Sequence, residues 1–392
     1  MRRLAILGAT GSIGRSAVDV VGKIAHEGSP SEPRAQRRGE GGFEVVLLTA
    51  HSRRQELEEI ASEFPGAALA TDNIVQAIKD AHPDIVLNGI AGAAGLEPSI
   101  AALQVGADLA LANKETIVMA GPMVLRLAAE KGLQVLPVDS EHSAVWTLLN
   151  EVGRRKEEVG SGFSEIILTA SGGPFRTYSK EELNNVTVED ALKHPTWKMG
   201  AKITVDSATM ANKGLEVIEA ARLFGAEPSQ IRVVIHPQSI VHSMIRVPDG
   251  SLRADMSKPD MKLPIYRALI AHKEMQGQNE KLELCASAAP REIYLDFKSP
   301  LNLTFEPPDF EKFPMLALAY KALEKGGLYP VVYNAANEAA VGLFLEKKIS
   351  FLEISKKVEY IIDMDWTCSQ DLSDLSALPV ILAADKKARS LV

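Results

Sequence analysis

Short apolar runs alternate with amphipathic segments over residues 3–150. The runs read LAILG, FEVVLLTA, DIVLNGI, ADLALAN and LQVLPV, and the segments between them carry apolar residues at helical spacing. Alternation of this kind predicts a parallel sheet covered by helices. We therefore expect an α/β protein whose residues 1–149 form a doubly wound, Rossmann-like domain.

The pattern changes after residue 150. EIILTA and KITVDSA predict strands, as do IRVVIHP, SIVHSMIRV and SLRADM, and the last two predict a hairpin. Residues 286–311 are rich in proline and predict an extended linker, and three amphipathic patterns follow. We expect a central α/β domain over 150–285, the linker over 286–311, and a C-terminal helical bundle over 312–392.

Composition narrows the class of partner. The chain has 392 residues and a formal net charge of −8, so it has no long-range attraction for nucleic acid or an anionic membrane. No run of about 18 apolar residues predicts a membrane span, and the N-terminus lacks a signal-peptide core. Cys285 and Cys368 have no disulfide or zinc spacing. We expect a cytoplasmic protein that acts on a small molecule, with neither nucleic acid nor membrane as a partner.

A glycine-rich turn follows the first predicted strand. GATGSIG places Gly8, Gly11 and Gly14 between that strand and a predicted helix. Glycine permits the tight turn and lets the backbone approach a pyrophosphate, whose charge the helix N-terminus stabilises. The spacing is GxxGxxG rather than GxGxxG, yet the strand-turn-helix setting favours dinucleotide binding over a purely structural turn.

The residues after the second predicted strand favour NADP over NAD. An NAD site usually places an acid there for the ribose hydroxyl, whereas this chain has His51, Ser52, Arg53 and Arg54. A hydroxyl and two guanidinium groups suit a 2′-phosphate. Each charge pair at contact distance contributes about 4 kcal/mol before desolvation at an effective dielectric of about 20. The alternative is that both arginines only decorate a solvated helix start.

Asn113, Lys114 and Glu115 follow the predicted strand ADLALA, at the edge where open α/β sheets bind ligands. Asn113 and Glu115 are also residues that cap a helix. Lys114 has no such structural role, and a lysine in a cleft can polarise a carbonyl or hydroxyl of a substrate. We therefore regard Lys114 as a candidate catalytic residue.

Three carboxylates form a candidate metal site. Asp139 and Glu141 are two residues apart after LQVLPV, so in extended backbone they fall on one face, where they repel unless a cation or proton lies between them. Glu216, in a predicted helix, offers a third carboxylate. Oxygen-only ligation favours Mg²⁺ or Mn²⁺ over zinc. Surface acids and helix-capping acids are the competing interpretation.

Hydroxyl, amide and ammonium donors suggest a phosphate pocket, since such donors at strand ends bind phosphate well. They follow two predicted strands: Ser171, Gly172 and Gly173 after EIILTA, and Ser207, Asn212 and Lys213 after KITVDS. His194 and Trp197 precede the second of these strands in a segment broken by Pro195 and Gly200, which predicts a loop able to close over a ligand. A tryptophan buried in a core loop is the alternative.

These motifs together resemble one family. GATGSIG, ANKE, VDSEHSA, SGGPF, the block from His194 to Ala220, HPQSIVHSM and NAANE occur in the order found in 1-deoxy-D-xylulose 5-phosphate reductoisomerases. Those enzymes of the non-mevalonate isoprenoid pathway use NADPH, and the resemblance extends over nearly the whole chain. It implies NADPH and Mn²⁺ or Mg²⁺ as cofactors, a sugar phosphate substrate and a homodimer.

The resemblance also implies roles for individual residues. The predicted cofactor contacts are Gly8, Thr10, Gly11, Ser12, Ile13, Gly14, Ser52, Arg53, Asn113, Glu115 and Gly200. The predicted metal ligands are Asp139, Glu141 and Glu216. The predicted substrate contacts are Lys114, Ser140, Glu141, Ser171, His194, Trp197, Met199, Ser207, Asn212, Lys213 and Glu216. Among these, Lys114, Glu141 and His194 are the predicted catalytic residues.

The implied reaction is a retro-aldol/aldol rearrangement of 1-deoxy-D-xylulose 5-phosphate followed by hydride transfer, giving 2-C-methyl-D-erythritol 4-phosphate. A flap carrying Trp197 and Met199 would close over the substrate and exclude water. His51, Ser52 and Arg53 depart from the glycine and asparagine common in the family. Two alternatives remain: another NADP-dependent dehydrogenase, of the semialdehyde or homoserine type, and a non-catalytic NADP-sensing regulator.

Overall fold

The computed structural model describes residues 1–26, 42–152, 162–194, 196–197, 199–275 and 293–392. The sequence from His26 to Gly42, rich in glycine, proline, serine and arginine, predicts a surface insertion, and its residues 27–41 lie outside the described residues, as do Cys285 and the linker residues 286–292. The chain divides into two compact units. The first unit comprises Met1–Asn113, Val124–Ser143 and Asp260–Tyr294; the second comprises Lys114–Met123, Ala144–Pro259 and Leu295–Val392. The predicted division at residues 149, 285 and 311 stays a prediction.

The first unit is built on a six-stranded parallel sheet. Its strands are β1 (Arg2–Leu7), β2 (Phe43–Thr49), β3 (Ala68–Ala70), β4 (Ile85–Asn88), β5 (Asp108–Leu111) and β6 (Val135–Pro137). The order β3-β2-β1-β4-β5-β6 is that of a doubly wound Rossmann sheet, so the predicted fold class is confirmed. Strand β3 was not predicted, because its three residues, ALA, are too few to show a strand pattern and are largely exposed.

Helices follow the strands of this sheet. Their bounds are α1 (Ser12–His26), α2 (Arg54–Ala61), α3 (Ile74–Ala81), α4 (Leu96–Gln104), α5 (Lys114–Glu130) and α6 (Ser140–Glu151). The apolar face of α1 is buried at Ala17, Val18 and Val21, as the helical spacing predicts. Pro122 lies inside α5, where Ala120 leaves helical geometry and kinks the helix.

The second unit contains a four-stranded mixed sheet. Its strands are β7 (Glu165–Ala170), β8 (Ile231–Ile235), β9 (Val241–Arg246) and β10 (Leu252–Met256), in the order β10-β9-β7-β8. β7 and β8 are parallel, whereas β9 is antiparallel to both β7 and β10. The predicted hairpin of β9 and β10 is therefore confirmed. Buried side chains such as Ile166, Leu168 and Ile245 form the core beneath this sheet.

The prediction that KITVDSA forms a strand is wrong. Short helices α7 (Lys180–Leu183) and α8 (Val188–Ala191) precede it, and the segment itself forms α9 (Ala201–Thr209), followed by α10 (Ala211–Phe224). Its β-branched residues favour a strand, but Thr204, Val205, Ala208 and Thr209 are buried together at helical spacing. Packing of this face against the core outweighs the intrinsic preference.

The remaining helices are α11 (Lys262–Met275), α12 (Pro314–Lys325), α13 (Tyr329–Leu345), α14 (Phe351–Ile362) and α15 (Leu378–Leu391). In the first unit α11 packs against α1, and Lys262 Nζ lies 3.1 Å from Asp19 Oδ2. In the second unit α13 packs against α12, α14 and α15. The three predicted C-terminal helices are confirmed, and α15 adds a fourth. Within the described ranges, no helix is both long and apolar enough to cross a membrane.

Candidate active site

The turn between β1 and α1 requires glycine. Gly8 has φ +75°, and a Cβ at this position would lie 3.0 Å from the carbonyl oxygen of Gly89. A Cβ at Gly14 would lie only 2.4 Å from the carbonyl oxygen of Gly8. The turn is closed by the Gly11 N–H, which donates to the Gly8 carbonyl oxygen at 2.9 Å. The start of α1 therefore has the close backbone approach that a pyrophosphate needs.

Three guanidinium groups lie near the end of β2, one more than the sequence suggested. Arg53 Nη1 lies 3.5 Å from Glu56 Oε2, and Arg15 forms an ion pair with the same carboxylate. Arg54 pairs with Glu58 at 3.0 Å. Arg15, which directly follows Gly14, is not one of the cofactor contacts predicted from the sequence. The exposed positions of Arg15 and Arg53 leave both accessible to a phosphate, which suits the predicted 2′-phosphate contact.

Asn113 holds the loop after β4. Its Nδ2 donates to the carbonyl oxygens of Ile90 at 2.7 Å and Gly92 at 2.8 Å. A Cβ at Gly95 would lie 2.6 Å from Asn113 Cγ, so the loop closes tightly over this amide. Asn113 is thus more than a helix cap. Its predicted contact with the nicotinamide stays a prediction.

A buried cluster joins the start of α5 to the start of α10. Lys114 Nζ donates to Asn212 Oδ1 and to Glu216 Oε1, each at 2.9 Å. Asn212 Nδ2 donates to the same Glu216 oxygen at 2.5 Å, and Lys213 Nζ donates to Glu216 Oε2. Lys114 is 5% exposed and Glu216 is 1% exposed. The structure therefore brings together a predicted catalytic lysine, two predicted phosphate ligands and a predicted metal ligand.

The second group of predicted phosphate ligands meets at His194. Its Nε2 lies 3.2 Å from Ser171 Oγ and 3.0 Å from Ser207 Oγ. Its Nδ1 accepts from the backbone N–H of Thr196 at 3.1 Å and of Trp197 at 2.9 Å. Nδ1 is then the acceptor and Nε2 carries the proton in the neutral ring. Burial lowers the pKa of the His194 imidazole and so favours that neutral form.

Backbone geometry brings Ser171 and Ser207 to this imidazole. Gly173, with φ +69°, follows β7, and a Cβ there would lie 2.6 Å from the Ser207 carbonyl oxygen. Met210, with φ +65°, separates α9 from α10 in a conformation that residues other than glycine rarely adopt. Ser207 and Asn212 therefore lie on either side of a sharp turn, at the end of one helix and the start of the next.

The acids after β6 lie at a helix N-terminus, and not in extended backbone as expected, because α6 begins at Ser140. The Ser140 N–H donates to Asp139 Oδ1 at 3.0 Å, and Ser140 Oγ donates to Glu141 Oε2 at 2.6 Å. The positive end of the helix dipole stabilises such acids in the charged form. Asp139 and Glu141 belong to the first unit, and Glu216 belongs to the second.

Comparisons with known proteins identify the family. A family model described as 1-deoxy-D-xylulose 5-phosphate reductoisomerase matches residues 4–121, and two models of its C-terminal domains match residues 135–224 and 256–391. The reductoisomerase of Chloroherpeton thalassium is 45% identical over 92% of this chain and 90% of its own length. That of Rippkaea orientalis is 43% identical over 100% and 96%. This chain belongs to the 1-deoxy-D-xylulose 5-phosphate reductoisomerase family.

Solved reductoisomerase structures share the fold. A structure of DOX-P reductoisomerase in complex with NADPH, fosmidomycin and magnesium is 35% identical, has a TM-score of 0.84, and is matched over 100% of this chain and 97% of that one. The reductoisomerase from Zymomonas mobilis in complex with NADPH is 35% identical with a TM-score of 0.78 and the same coverage. The family resemblance expected from the motifs is thus confirmed.

Sequence reasoning missed a second buried charge cluster in this member of the reductoisomerase family. Lys202 Nζ lies 2.8 Å from both Glu115 Oε1 and Asp206 Oδ2. Burial raises the pKa of the Glu115 carboxyl, but the Lys202 ammonium more than offsets this, so its pKa lies below the usual value. The available signal was the i,i+4 spacing of Lys202 and Asp206, which a strand interpretation of the segment concealed.

Proposed function

We propose that this chain converts 1-deoxy-D-xylulose 5-phosphate to 2-C-methyl-D-erythritol 4-phosphate with NADPH and a divalent cation. As a member of the reductoisomerase family it is an NADP-dependent oxidoreductase of isoprenoid precursor biosynthesis. The observation that carries the proposal is the cluster of Lys114, Asn212, Lys213 and Glu216 on motifs that the family shares. An ordinary dehydrogenase of the homoserine type, or a regulator, has no need of it.

The cofactor is assigned to the first unit and to the residues after β5. The glycine turn fits a pyrophosphate because Gly8 and Gly14 let α1 begin against the end of β1; a Cβ at Gly14 would collide with the backbone of Gly8 and Ala9. Ser52 and Arg53 are assigned to the 2′-phosphate, and Arg15 joins them as a further guanidinium. Asn113, Glu115 and Gly200 are assigned to the nicotinamide side. NADPH supplies the hydride that reduces the rearranged aldehyde to an alcohol.

Asp139, Glu141 and Glu216 are assigned to the divalent cation. Their donor set consists of carboxylate oxygens, which fits Mg²⁺ or Mn²⁺. Magnesium is named in three solved reductoisomerase structures similar to this chain. Lewis acidity toward neighbouring carbonyl and hydroxyl oxygens is the chemistry that such an ion supplies. Asn212 fixes the orientation of the Glu216 carboxylate, because its Nδ2 donates to Glu216 Oε1 from the preceding turn of α10.

Ser171, Ser207, Asn212 and Lys213 are assigned to the substrate phosphate. Two hydroxyls, an amide and an ammonium are strong donors to a phosphate, and Lys213 supplies the compensating charge. Ser140, Lys114 and His194 are assigned to the substrate oxygens, with Lys114 and Glu141 as candidates to move protons during the rearrangement. An anion near Lys213 gives this lysine a partner besides Glu216.

His194 links ligand binding to the loop that carries Trp197 and Met199. Nε2 faces the two serine hydroxyls, whereas Nδ1 accepts from the Thr196 and Trp197 amides. A ligand that reorients the imidazole must therefore also move the loop backbone. This coupling supports the assignment of Trp197 and Met199 to a closing flap, which would exclude water from the rearrangement.

A homodimer and a cytoplasmic location are further parts of the proposal. The edge strand β10 supports the dimer, because among the described strands it pairs with β9 alone, and because Leu252 is 44% exposed and Met256 is 38% exposed. An open edge with apolar side chains is a template for pairing with a second chain. Size-exclusion chromatography with light scattering tests the dimer, and a monomer at micromolar concentration would contradict it.

The proposed reaction is tested with purified protein, NADPH, Mg²⁺ and 1-deoxy-D-xylulose 5-phosphate. We expect loss of NADPH absorbance that depends on the substrate, and a branched polyol phosphate as the product by NMR. Replacing NADPH with NADH should lower kcat/KM, since the 2′-phosphate contacts are lost. Oxidation of NADPH with an amino acid semialdehyde but not with the ketose phosphate would support the dehydrogenase alternative. No turnover of any substrate would support the regulator.

A further inference from the structure

The Lys202 cluster extends into the C-terminal helices. Asp206 Oδ2 forms an ion pair with Lys202 Nζ at 2.8 Å, and Asp206 Oδ1 accepts a hydrogen bond from Asn337 Nδ2 at 2.8 Å. Asn337 is fully buried in α13, and Asp206 is 1% exposed. A continuous series of polar contacts thus runs from Glu115 through Lys202 and Asp206 to Asn337. None of the last three residues has a role in the reaction as assigned above.

The charges in this series alternate in sign. Burial lowers the pKa of Lys202, but the carboxylates of Asp206 and Glu115 outweigh this and raise it, so the ammonium stays charged. Removing either carboxylate would leave the partly buried Lys202 ammonium with one charged partner. Asn337 adds a donor to Asp206 without adding a charge, whereas an aspartate there would place two carboxylates together.

The series connects three helices at positions next to assigned site residues. Glu115 follows Lys114 on α5, Asp206 precedes Ser207 on α9, and Asn337 lies on α13. Tyr333, one turn before Asn337, donates to the Met315 carbonyl oxygen at 3.1 Å, and a Cβ at Gly214 would lie 2.5 Å from its hydroxyl. The side of α13 that carries Tyr333 and Asn337 thus approaches both α9 and α10.

We propose that Lys202, Asp206 and Asn337 are positioning residues for the reaction, which act through Glu115 and through the backbone of Ser207. They keep Glu115, which is assigned to the nicotinamide side, at a fixed position relative to Ser207, which is assigned to the substrate phosphate. Helix α13, far from the other site motifs in sequence, is then part of the catalytic apparatus. This inference rests on the proposed function.

An exchange of the two partners separates positioning from mere packing. The variants are Asp206→Asn, Asn337→Asp and the double exchange Asp206→Asn/Asn337→Asp, with exposed Asn185→Asp as the control. The double exchange keeps an amide-carboxylate hydrogen bond but moves the charge away from Lys202. We expect it to recover part of the unfolding midpoint lost by the single variants, because the hydrogen bond returns although Lys202 keeps only Glu115 as a charged partner. We expect kcat/KM to stay about tenfold to 100-fold below wild type, the cost of displacing residues of the site.

Recovery of kcat/KM together with stability, or wild-type kinetics in Asp206→Asn, would overturn the inference. If the exchange does not fold, the milder pair Asn337→Ser and Glu115→Gln replaces it. Their double variant should lose no more kcat/KM than the worse single variant, because both act through one series. Losses that multiply would refute the positioning role. A wild-type protein inactive on the ketose phosphate would instead defeat the proposed function, which the same assay reveals first.

Discussion

The kink in α5 is stabilised by a contact whose contribution to the free energy of unfolding can be estimated. Pro122 has no N–H, so the carbonyl of Val118 loses its intrahelical donor. Arg222 of α10 replaces that donor: its Nη1 donates to the carbonyl oxygens of Ile117, at 2.5 Å, and of Val118. Gly121 makes room, since a Cβ there would lie 2.7 Å from Arg222 Cδ. Burial lowers the pKa of Arg222 to about 10.

Arg222→Met removes both hydrogen bonds and keeps the aliphatic volume. Hydrogen bonds from a charged donor contribute about 1.5–3 kcal/mol each, and the cost of burying the guanidinium offsets part of this gain. We therefore expect Arg222→Met to lower the free energy of unfolding by about 3 kcal/mol. Pro122→Ala restores an N–H to Val118. Pro122→Ala should therefore raise the free energy of unfolding by about 1 kcal/mol in the Arg222→Met background. The increase should be smaller in the wild type, where Arg222 already donates to that carbonyl.

Urea unfolding followed by tryptophan fluorescence measures both effects. Trp146, Trp197 and Trp366 all belong to the second unit, as does Arg222, so the signal reports the relevant transition. The four proteins form a double-mutant cycle. If the effects of Arg222→Met and Pro122→Ala add within about 0.5 kcal/mol, the two sites are independent and the assigned role of Arg222 is wrong.

Three further predictions concern the site. Gly14→Ala should abolish NADPH binding, measured by cofactor fluorescence, because the new Cβ would lie 2.4 Å from the Gly8 carbonyl oxygen; Gly342→Ala, where nothing lies within 4 Å, is the control and should bind normally. Inorganic phosphate should raise the affinity for Mn²⁺, measured by calorimetry, because the phosphate draws Lys213 away from Glu216. Lys213→Met should remove this coupling. Equal Mn²⁺ affinity with and without phosphate in the wild type would contradict the shared role of Glu216. Burial lowers the pKa of His194 in the folded protein below 6.5, so as pH falls the unfolded chain binds the proton first, and the free energy of unfolding should fall between pH 6.5 and the folded-state pKa. His194→Gln should flatten this part of the pH profile of the unfolding midpoint. An unchanged profile in that variant would contradict the prediction.

The first unit was largely predictable because most of its strands, though not β3, are buried on both faces. Runs such as LAILG and FEVVLLTA are almost wholly apolar, and the glycine turn marks where β1 ends. The secondary structure of α9 was not predictable in the same way. Its β-branched residues favour a strand locally, and only the core of the second unit, formed by distant segments, selects the helix.

The same distinction holds for the site. Residue type and motif alone predicted the chemistry of four residues of the site, which are Lys114, Asn212, Lys213 and Glu216. The roles of Arg222 and Asn337 depend instead on partners more than 100 residues away in sequence, Val118 and Asp206. No local spacing encodes such a contact, so a buried arginine or asparagine is recognised as a partner only once the helices are packed.

Metal dependence tests the central claim most directly. The measurement is the rate of NADPH oxidation with 1-deoxy-D-xylulose 5-phosphate after EDTA treatment and Mn²⁺ titration, for the wild type, Glu216→Gln and the exposed control Glu227→Gln. The account predicts no oxidation without metal, full recovery with Mn²⁺ in the wild type and the control, and a loss of about 100-fold or more in Glu216→Gln at every Mn²⁺ concentration. Undiminished oxidation after EDTA, or a wild-type rate in Glu216→Gln, would contradict it.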